Sequence, residues 1–191
     1  SEKNSIWEGA YRIPMMVRWP GQIEAGRVSN GIFSLQDWLP TLLAAAGEPG
    51  ITEELLTGHA AGEKTFKVHI DGVDQLAHLT EGADSARSGF IYFNDEGLLV
   101  AARVGRWKLL YADQDSHGLD VWFEAPDELK TPRLVDLRTD PFERAMEDSG
   151  NYDVWLVQHI FMAPPIMAAV RDFLATFEEF PPRDAAPPPS I

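Results

Sequence analysis

From Phe90 onward the sequence breaks into short apolar or aromatic runs, each closed by turn residues, and this rhythm constrains the fold most. The runs cover residues 90–93, 98–104, 107–111, 121–124 and 134–137. Asp95-Glu96-Gly97 and Gly105-Arg106 have the composition of hairpin connections. Strands joined by turns this tight pair antiparallel with their neighbours, so the expectation is a meandering sheet of four or five strands. Such a sheet needs covering. The residues after Asp153 supply a cover: Ile166, Val170, Phe173 and Phe177 recur at intervals of four and three, one apolar stripe along a helix. Pro164-Pro165 is expected to separate that helix from the apolar stretch at 154–162. Residues 181–191 hold five of the chain's 14 prolines and are read as an extended tail.

The first third is built differently. Residues 13–19 are apolar, end at Pro20-Gly21, and are predicted to form a buried strand; a loop at 22–27 and a second short strand at 28–34 follow. Asp37 is the predicted N-cap of a helix that tolerates Pro40 in its first turn and ends at Gly47. Leu39, Leu42, Leu43, Ala44, Ala45 and Ala46 leave this helix almost no polar face, so it is expected to be buried against something larger. One strand cannot supply that cover, which points to sequence outside this chain or to a second copy of it. A short helix is expected at 52–56, a strand at 66–70 closed by Asp71-Gly72, and one or two helical turns at 75–80.

Hydrophobic residues make up 45% of the 191 and charged ones 24%, enough for a sizeable core. The 16 basic and 30 acidic residues give a net charge of −14, which repels nucleic acid and anionic membrane alike, so neither is an expected partner. Any anion site has to be a small local concentration of positive charge. No run of 18 apolar residues is present, and on that ground no ordinary membrane-spanning helix is expected. Cysteine is absent, which removes disulfides, thiolate metal sites and cysteine nucleophiles but leaves the compartment open.

Other candidates for chemistry have plain readings. His59, His69, His78, His117 and His159 lack metal-ligand spacing. Asp71 and Asp74 offer too few oxygens for a hard cation and read as turn and cap residues. Asp113, Asp115 and His117 read as a solvated connection, Asp136 and Asp140 as strand-end and turn residues. Glu8 and Arg12, four apart, read as an ion pair that shapes a loop entering a strand. The six tryptophans are assigned to core packing.

Lys3 opens a stretch, Lys3-Asn4-Ser5-Ile6-Trp7-Glu8-Gly9-Ala10-Tyr11-Arg12-Ile13-Pro14, that resembles the K-x-x-x-x-E-G-(G/A)-x-R-x-P segment of the type I sulfatases (arylsulfatases). The likeness continues through Arg18-Trp19-Pro20-Gly21 and Gly26, Asp37 with Pro40-Thr41-Leu42, Ala46-Gly47, and Asp71-Gly72-Val73. Arg103, Trp107-Lys108, Leu137 and Asp140-Pro141 with Glu143 resemble the R…WK…L…DPxE pattern of the sulfatase C-terminal subdomain. Agreement in this order over about residues 1–145 is specific where any one piece is weak. The last helical region is similar to one bacterial arylsulfatase subgroup.

The resemblance implies an alkaline-phosphatase-like α/β fold, of which this chain is the C-terminal part: α/β overall, an α+β fragment. Residues 1–64 would end the large domain with its last strand and helix. Residues 65–180 would form the small antiparallel sheet with its packed helix, and 181–191 the proline-rich tail. It also implies that Lys3 contacts the sulfate of a sulfate-ester substrate. A formylglycine nucleophile and calcium are implied for the parent, but the C/S-x-P-x-R site of the former is absent here. The expected partner is a missing N-terminal catalytic domain, and the chain alone is expected to be inactive. A phosphonate monoester hydrolase fragment is the enzymatic alternative. The other is an interaction module that forms a homo-oligomer through the surface around 35–46.

Overall fold

The structure, a computed structural model, describes residues 4–181. Contacts gather the chain into two compact bodies, one holding residues up to 15 with 89–177, the other residues 16–88 with 178–180.

The first element among the described residues is α1 (Glu8–Tyr11), a single turn. The strand expected at 13–19 does not form. Those residues pair with no strand among the described residues, and Ile13, Met15, Met16 and Trp19 are exposed, Met16 to 97%. Apolar composition favours an extended chain only where a neighbouring strand takes its hydrogen bonds and covers its side chains. Residues 28–34 are irregular too.

In the second body a 3-10 turn, Leu35–Asp37, leads into α2 (Trp38–Ala45), which ends before Gly47 at φ 102°. Helix α2 buries Pro40, Thr41 and Ala44 but leaves Leu39 and Leu42 exposed at 52% and 60%. Then come α3 (Ile51–Thr57), a hairpin of β1 (His59–Ala61) and β2 (Lys64–Phe66) turning through Gly62, and α4 (Leu76–Thr80). The strand predicted at 66–70 is therefore displaced: Phe66 ends β2, because the tight turn pairs 64–66 with 59–61.

The first body resumes with β3 (Gly89–Phe93), β4 (Leu99–Val104), β5 (Trp107–Asp113) and β6 (Asp127–Asp136), an antiparallel sheet in that spatial order. Ala102 faces Leu109, and Leu109 faces Leu134. The apolar cluster at 121–124, predicted as a strand, instead contains a 3-10 turn, Asp120–Trp122. The more polar β6 supplies the fourth strand. It contains Pro132, tolerated because β6 is an edge strand whose ladder with β5 breaks between the partners of Leu110 and Ala112.

Helices α5 (Ala145–Asp148), α6 (Tyr152–His159) and α7 (Ala163–Glu179) follow, the last two joined by a 3-10 turn, Ile160–Met162. Pro164-Pro165 does not separate them. Both prolines fall in the first turn of α7, where an N–H has no helical acceptor to lose. The helical run Tyr152–Glu179 is therefore continuous, and by length and composition alone it could cross a membrane, contrary to the sequence-based exclusion.

One sheet cluster, Ala102, Leu109 and Leu134, packs against Ala163, Ile166 and Val170 of α7. The other, with Tyr92, Val100, Leu110 and Val135, is capped by Ile6, so the chain's opening segment is part of the core. Complete burial of one such isoleucine is worth roughly 1.5–3 kcal/mol.

Candidate functional site

Lys3 lies outside the described residues; the segment that follows it can be built residue by residue. Ser5, Ile6 and Glu8 are all buried. The Ile6 N–H donates to Gln114 Oε1 at 3.0 Å, and Lys108 Nζ donates to the Ile6 carbonyl at 2.7 Å. Next, the Glu8 N–H donates to Glu143 Oε2 at 2.5 Å. The Glu8 carboxylate accepts from Arg103 Nη1 at 2.9 Å and from the Tyr92 hydroxyl, with Lys108 Nζ 3.8 Å away. Lys108 and Glu143 complete the cluster at 2.6 Å.

Three of the four strands deliver one member each. Tyr92 comes from β3, Arg103 from β4 and the fully buried Lys108 from β5, while Glu143 reaches in from the turn after β6. That turn is shaped by Asp140, whose carboxylate accepts the N–H groups of Arg144 and Ala145 at 3.0 and 2.9 Å. Glu143 itself has φ 56°, a left-handed conformation unusual for a residue with a side chain.

Two carboxylates and two cations cancel formally, yet Glu8, Lys108 and Glu143 are almost wholly shielded from water. Burial pushes the Lys108 ammonium below its usual range, against the opposing pull of Glu143 and Glu8. Burial likewise raises the Glu143 carboxyl despite Lys108, and raises the Tyr92 phenol, helped by the Glu8 charge. The arrangement offers no substrate-facing nucleophile; its physical output is a rigid backbone over residues 5–8.

The second body contains a comparable hub. Asp37 is fully buried. It accepts Arg87 Nε at 3.1 and 2.9 Å, Arg87 Nη2 at 2.5 Å, the Val73 N–H at 3.0 Å and the Ser34 N–H at 2.8 Å. Burial alone would raise its carboxyl, but Arg87 and the two backbone donors outweigh that and hold it below the usual range. Asp37 does stand at the N-cap position of α2, as the sequence suggests, but it makes no side-chain cap hydrogen bond to that helix; its oxygens are taken by the hub. Gly72 sits so close that an added Cβ would lie 2.2 Å from the Gln36 carbonyl oxygen. Thr41 Oγ1 accepts the Gln75 N–H at 2.9 Å, so the Asp37–Thr41 and Asp71–Val73 motifs lock together.

Other candidates are scattered. Glu8 pairs with Arg103, not with Arg12, which follows α1 as its C-cap. His59 meets Glu54, His69 meets Asp71, His78 bridges Ser29 and the Ala83 carbonyl, His117 stacks on Trp7, and His159 bonds the Trp155 carbonyl. Asp74 accepts the Leu76 N–H at the start of α4, and Asp113 pairs with Arg133 at 2.6 Å. Among the described residues no group of three or more His, Cys, Asp or Glu is placed to hold a metal ion. Tyr92, Gln114 and Arg87 escaped the sequence reading. For the first hub a signal existed: Arg103 and Lys108 interrupt strands that are otherwise apolar, which is costly unless buried partners await them.

Comparison with known proteins bears on the fold first. The solved PsFucS1 sulfatase from Pseudoalteromonas sp. superposes with a TM-score of 0.65 at 23% identity, over 87% of this chain and 30% of that one. The chain therefore shares the fold of part of that sulfatase. Residues 1–48 match the family described as Sulfatase. Among curated proteins, the chain is 30% identical over 175 residues to an arylsulfatase of Hemicentrotus pulcherrimus, covering 81% of this chain and 29% of that protein. It is 26% identical over 149 residues to Arylsulfatase G of Canis lupus familiaris, covering 78% and 26% respectively. The chain thus spans less than a third of the length of these relatives.

Proposed function

We propose that this chain forms the C-terminal part of an arylsulfatase and that Lys3 contacts the sulfate of the ester being cleaved. One observation carries the reading. Glu8, Arg103, Lys108 and Glu143, drawn from separate pieces of the sulfatase resemblance, meet in one buried cluster that clamps the segment beginning directly after Lys3. A clamp of this kind suits a lysine whose ammonium has to stay in place. Cleavage of a sulfate ester shifts negative charge toward the bridging oxygen, and a positioned cation stabilises that charge without reorganising as it develops.

Sulfatases of this type use formylglycine and calcium, and this chain's own residues fit neither. It has no cysteine and no C/S-x-P-x-R, and no metal-holding group exists among the described residues. No chemical step is therefore assigned here to either group. The chain's contribution is anion contact by Lys3 and positioning by the Glu8 cluster.

In the whole gene product, Lys3→Ala is expected to lower kcat/KM for p-nitrophenyl sulfate by about 100-fold or more while leaving the circular dichroism spectrum intact. The 191-residue chain by itself is expected to release no nitrophenol. An unaltered kcat/KM, or turnover by the isolated chain, overturns the assignment.

A further inference from the structure

In the second body one exposed hydroxyl faces an imidazole whose tautomer is fixed. Ser29 Oγ lies 3.0 Å from His78 Nε2, and His78 Nδ1 lies 2.7 Å from the Ala83 carbonyl oxygen. A carbonyl only accepts, so Nδ1 carries the hydrogen, and in the neutral ring Nε2 is left to accept the Ser29 hydroxyl. His78 is only 8% exposed, whereas Ser29 is open to solvent, so the ring is held and the hydroxyl is reachable. A hydroxyl, an imidazole and an acceptor that orients the imidazole are the parts of an activated nucleophile.

The backbone around Ser29 holds the pair together. Arg27 donates from Nη1 to the Leu79 carbonyl at 2.9 Å and from Nη2 to the His78 carbonyl, which pins this loop to α4. A Cβ added at Gly31 would lie 2.9 Å from His78 Cε1 and 3.1 Å from Nε2, so the loop lies closer to the ring than a side chain there permits. The Gly31 N–H donates to Ser29 Oγ at 3.0 Å and favours that oxygen as it becomes negative.

We propose that Ser29, with His78 as general base, takes the acyl group of small activated esters, thioesters among them. Ser29 Oγ bonds to the acyl carbon while its proton passes to His78 Nε2. The bond from that carbon to the leaving sulfur or oxygen breaks, and the leaving group takes the proton from Nε2. Acyl-Ser29 remains, and water releases the acid by the same proton route. Turnover is slow, because the Ala83 carbonyl stabilises the imidazolium less than a carboxylate would. Val28, Ser29 and Asn30 are all exposed and offer little wall to a long acyl chain, hence the small substrate. The pair does not depend on the sulfatase reading, since it includes neither Lys3 nor any member of the Glu8 cluster.

The chain contains its own control. Ser149 is also exposed, and its Oγ accepts the Asn151 N–H at 3.3 Å, two residues on, as Ser29 does from Gly31, but no histidine bonds to it among the described residues. The test incubates the 191-residue chain with S-phenyl thioacetate and locates acetyl groups by tandem mass spectrometry of its peptides. Ser29 is expected to be acetylated about 100-fold faster than Ser149. His78→Gln keeps a polar side chain in place without a base, and brings Ser29 down to the rate of Ser149. Equal rates at the two serines overturn the proposal, as does undiminished acetylation of Ser29 in the His78→Gln chain. Should that variant fail to fold, the ratio of the two serines in the unaltered chain decides.

Discussion

Glu8 and Asp37 are both buried carboxylates that tie distant stretches of chain together, but they meet the cost of desolvation in opposite ways. Asp37 is ringed by donors: two backbone N–H groups and an arginine whose side chain keeps 10% of its surface open to water. Its ionised form is favoured. Glu8 sits beside a second carboxylate and a lysine with no exposure at all, and burial drives Lys108 and Glu143 toward their neutral forms. The difference teaches that one hub stabilises its ions while the other tolerates them for the sake of position. The Asp37 hub links residues up to 50 apart within one body; the Glu8 hub fixes a segment to residues as many as 135 positions away.

The sharpest way to break this contrast is to remove the cation from each hub. Lys108→Met strands Glu143 in the interior and leaves Glu8 to Arg103 alone, and is expected to cost about 3–5 kcal/mol in urea unfolding. Adding Glu143→Met should recover about half of that loss, because an apolar pair avoids desolvation although the Glu8 N–H loses its acceptor. Arg87→Leu is expected to cost less, about 2–3 kcal/mol, since Asp37 keeps its backbone donors. Here Asp37→Leu on top should recover nothing, because the Val73 and Ser34 N–H groups then go unpaired. Recovery in both hubs, or in neither, removes the distinction.

Gly72→Ala tests the tightness of the second hub and should cost about 1–2 kcal/mol, as the new methyl group forces the Gln36 backbone to move. The smallest effect is in pH. Asp37 has a lowered folded pKa, so its stabilisation is present above the ordinary carboxyl range and is lost as pH falls through the folded value. Glu143 has a raised folded pKa and runs the other way, adding stability as pH falls through its window. Asp37→Asn should therefore flatten the acid limb of a stability–pH curve, whereas Glu143→Gln should steepen it.

Much of this was legible in the residues. The meander is visible because each hairpin carries its own turn chemistry and its own local pairing. The stripe Ile166–Val170 was equally visible, since helix periodicity needs no knowledge of the partner. What failed was whatever depends on non-local company. Residues 13–19 are apolar enough for a strand and lack one to pair with among the described residues, while the polar start of β6 becomes a strand because β5 lies beside it. The hubs were half legible: Glu8, Asp37, Arg103, Lys108 and Glu143 stand out as a pattern. Their partners Tyr92, Gln114 and Arg87 are ordinary letters whose meaning comes from three-dimensional proximity.

Pro132 carries a consequence for self-association. An outer strand with a complete row of free amide hydrogens can recruit a strand from another molecule and seed a growing ribbon. On β6 that row is interrupted by a ring that has no hydrogen to offer, and the ladder with β5 is irregular beside it. Replacing Pro132 with valine would hand the rim its missing donor, and the molecule would become more inclined to stack edge to edge.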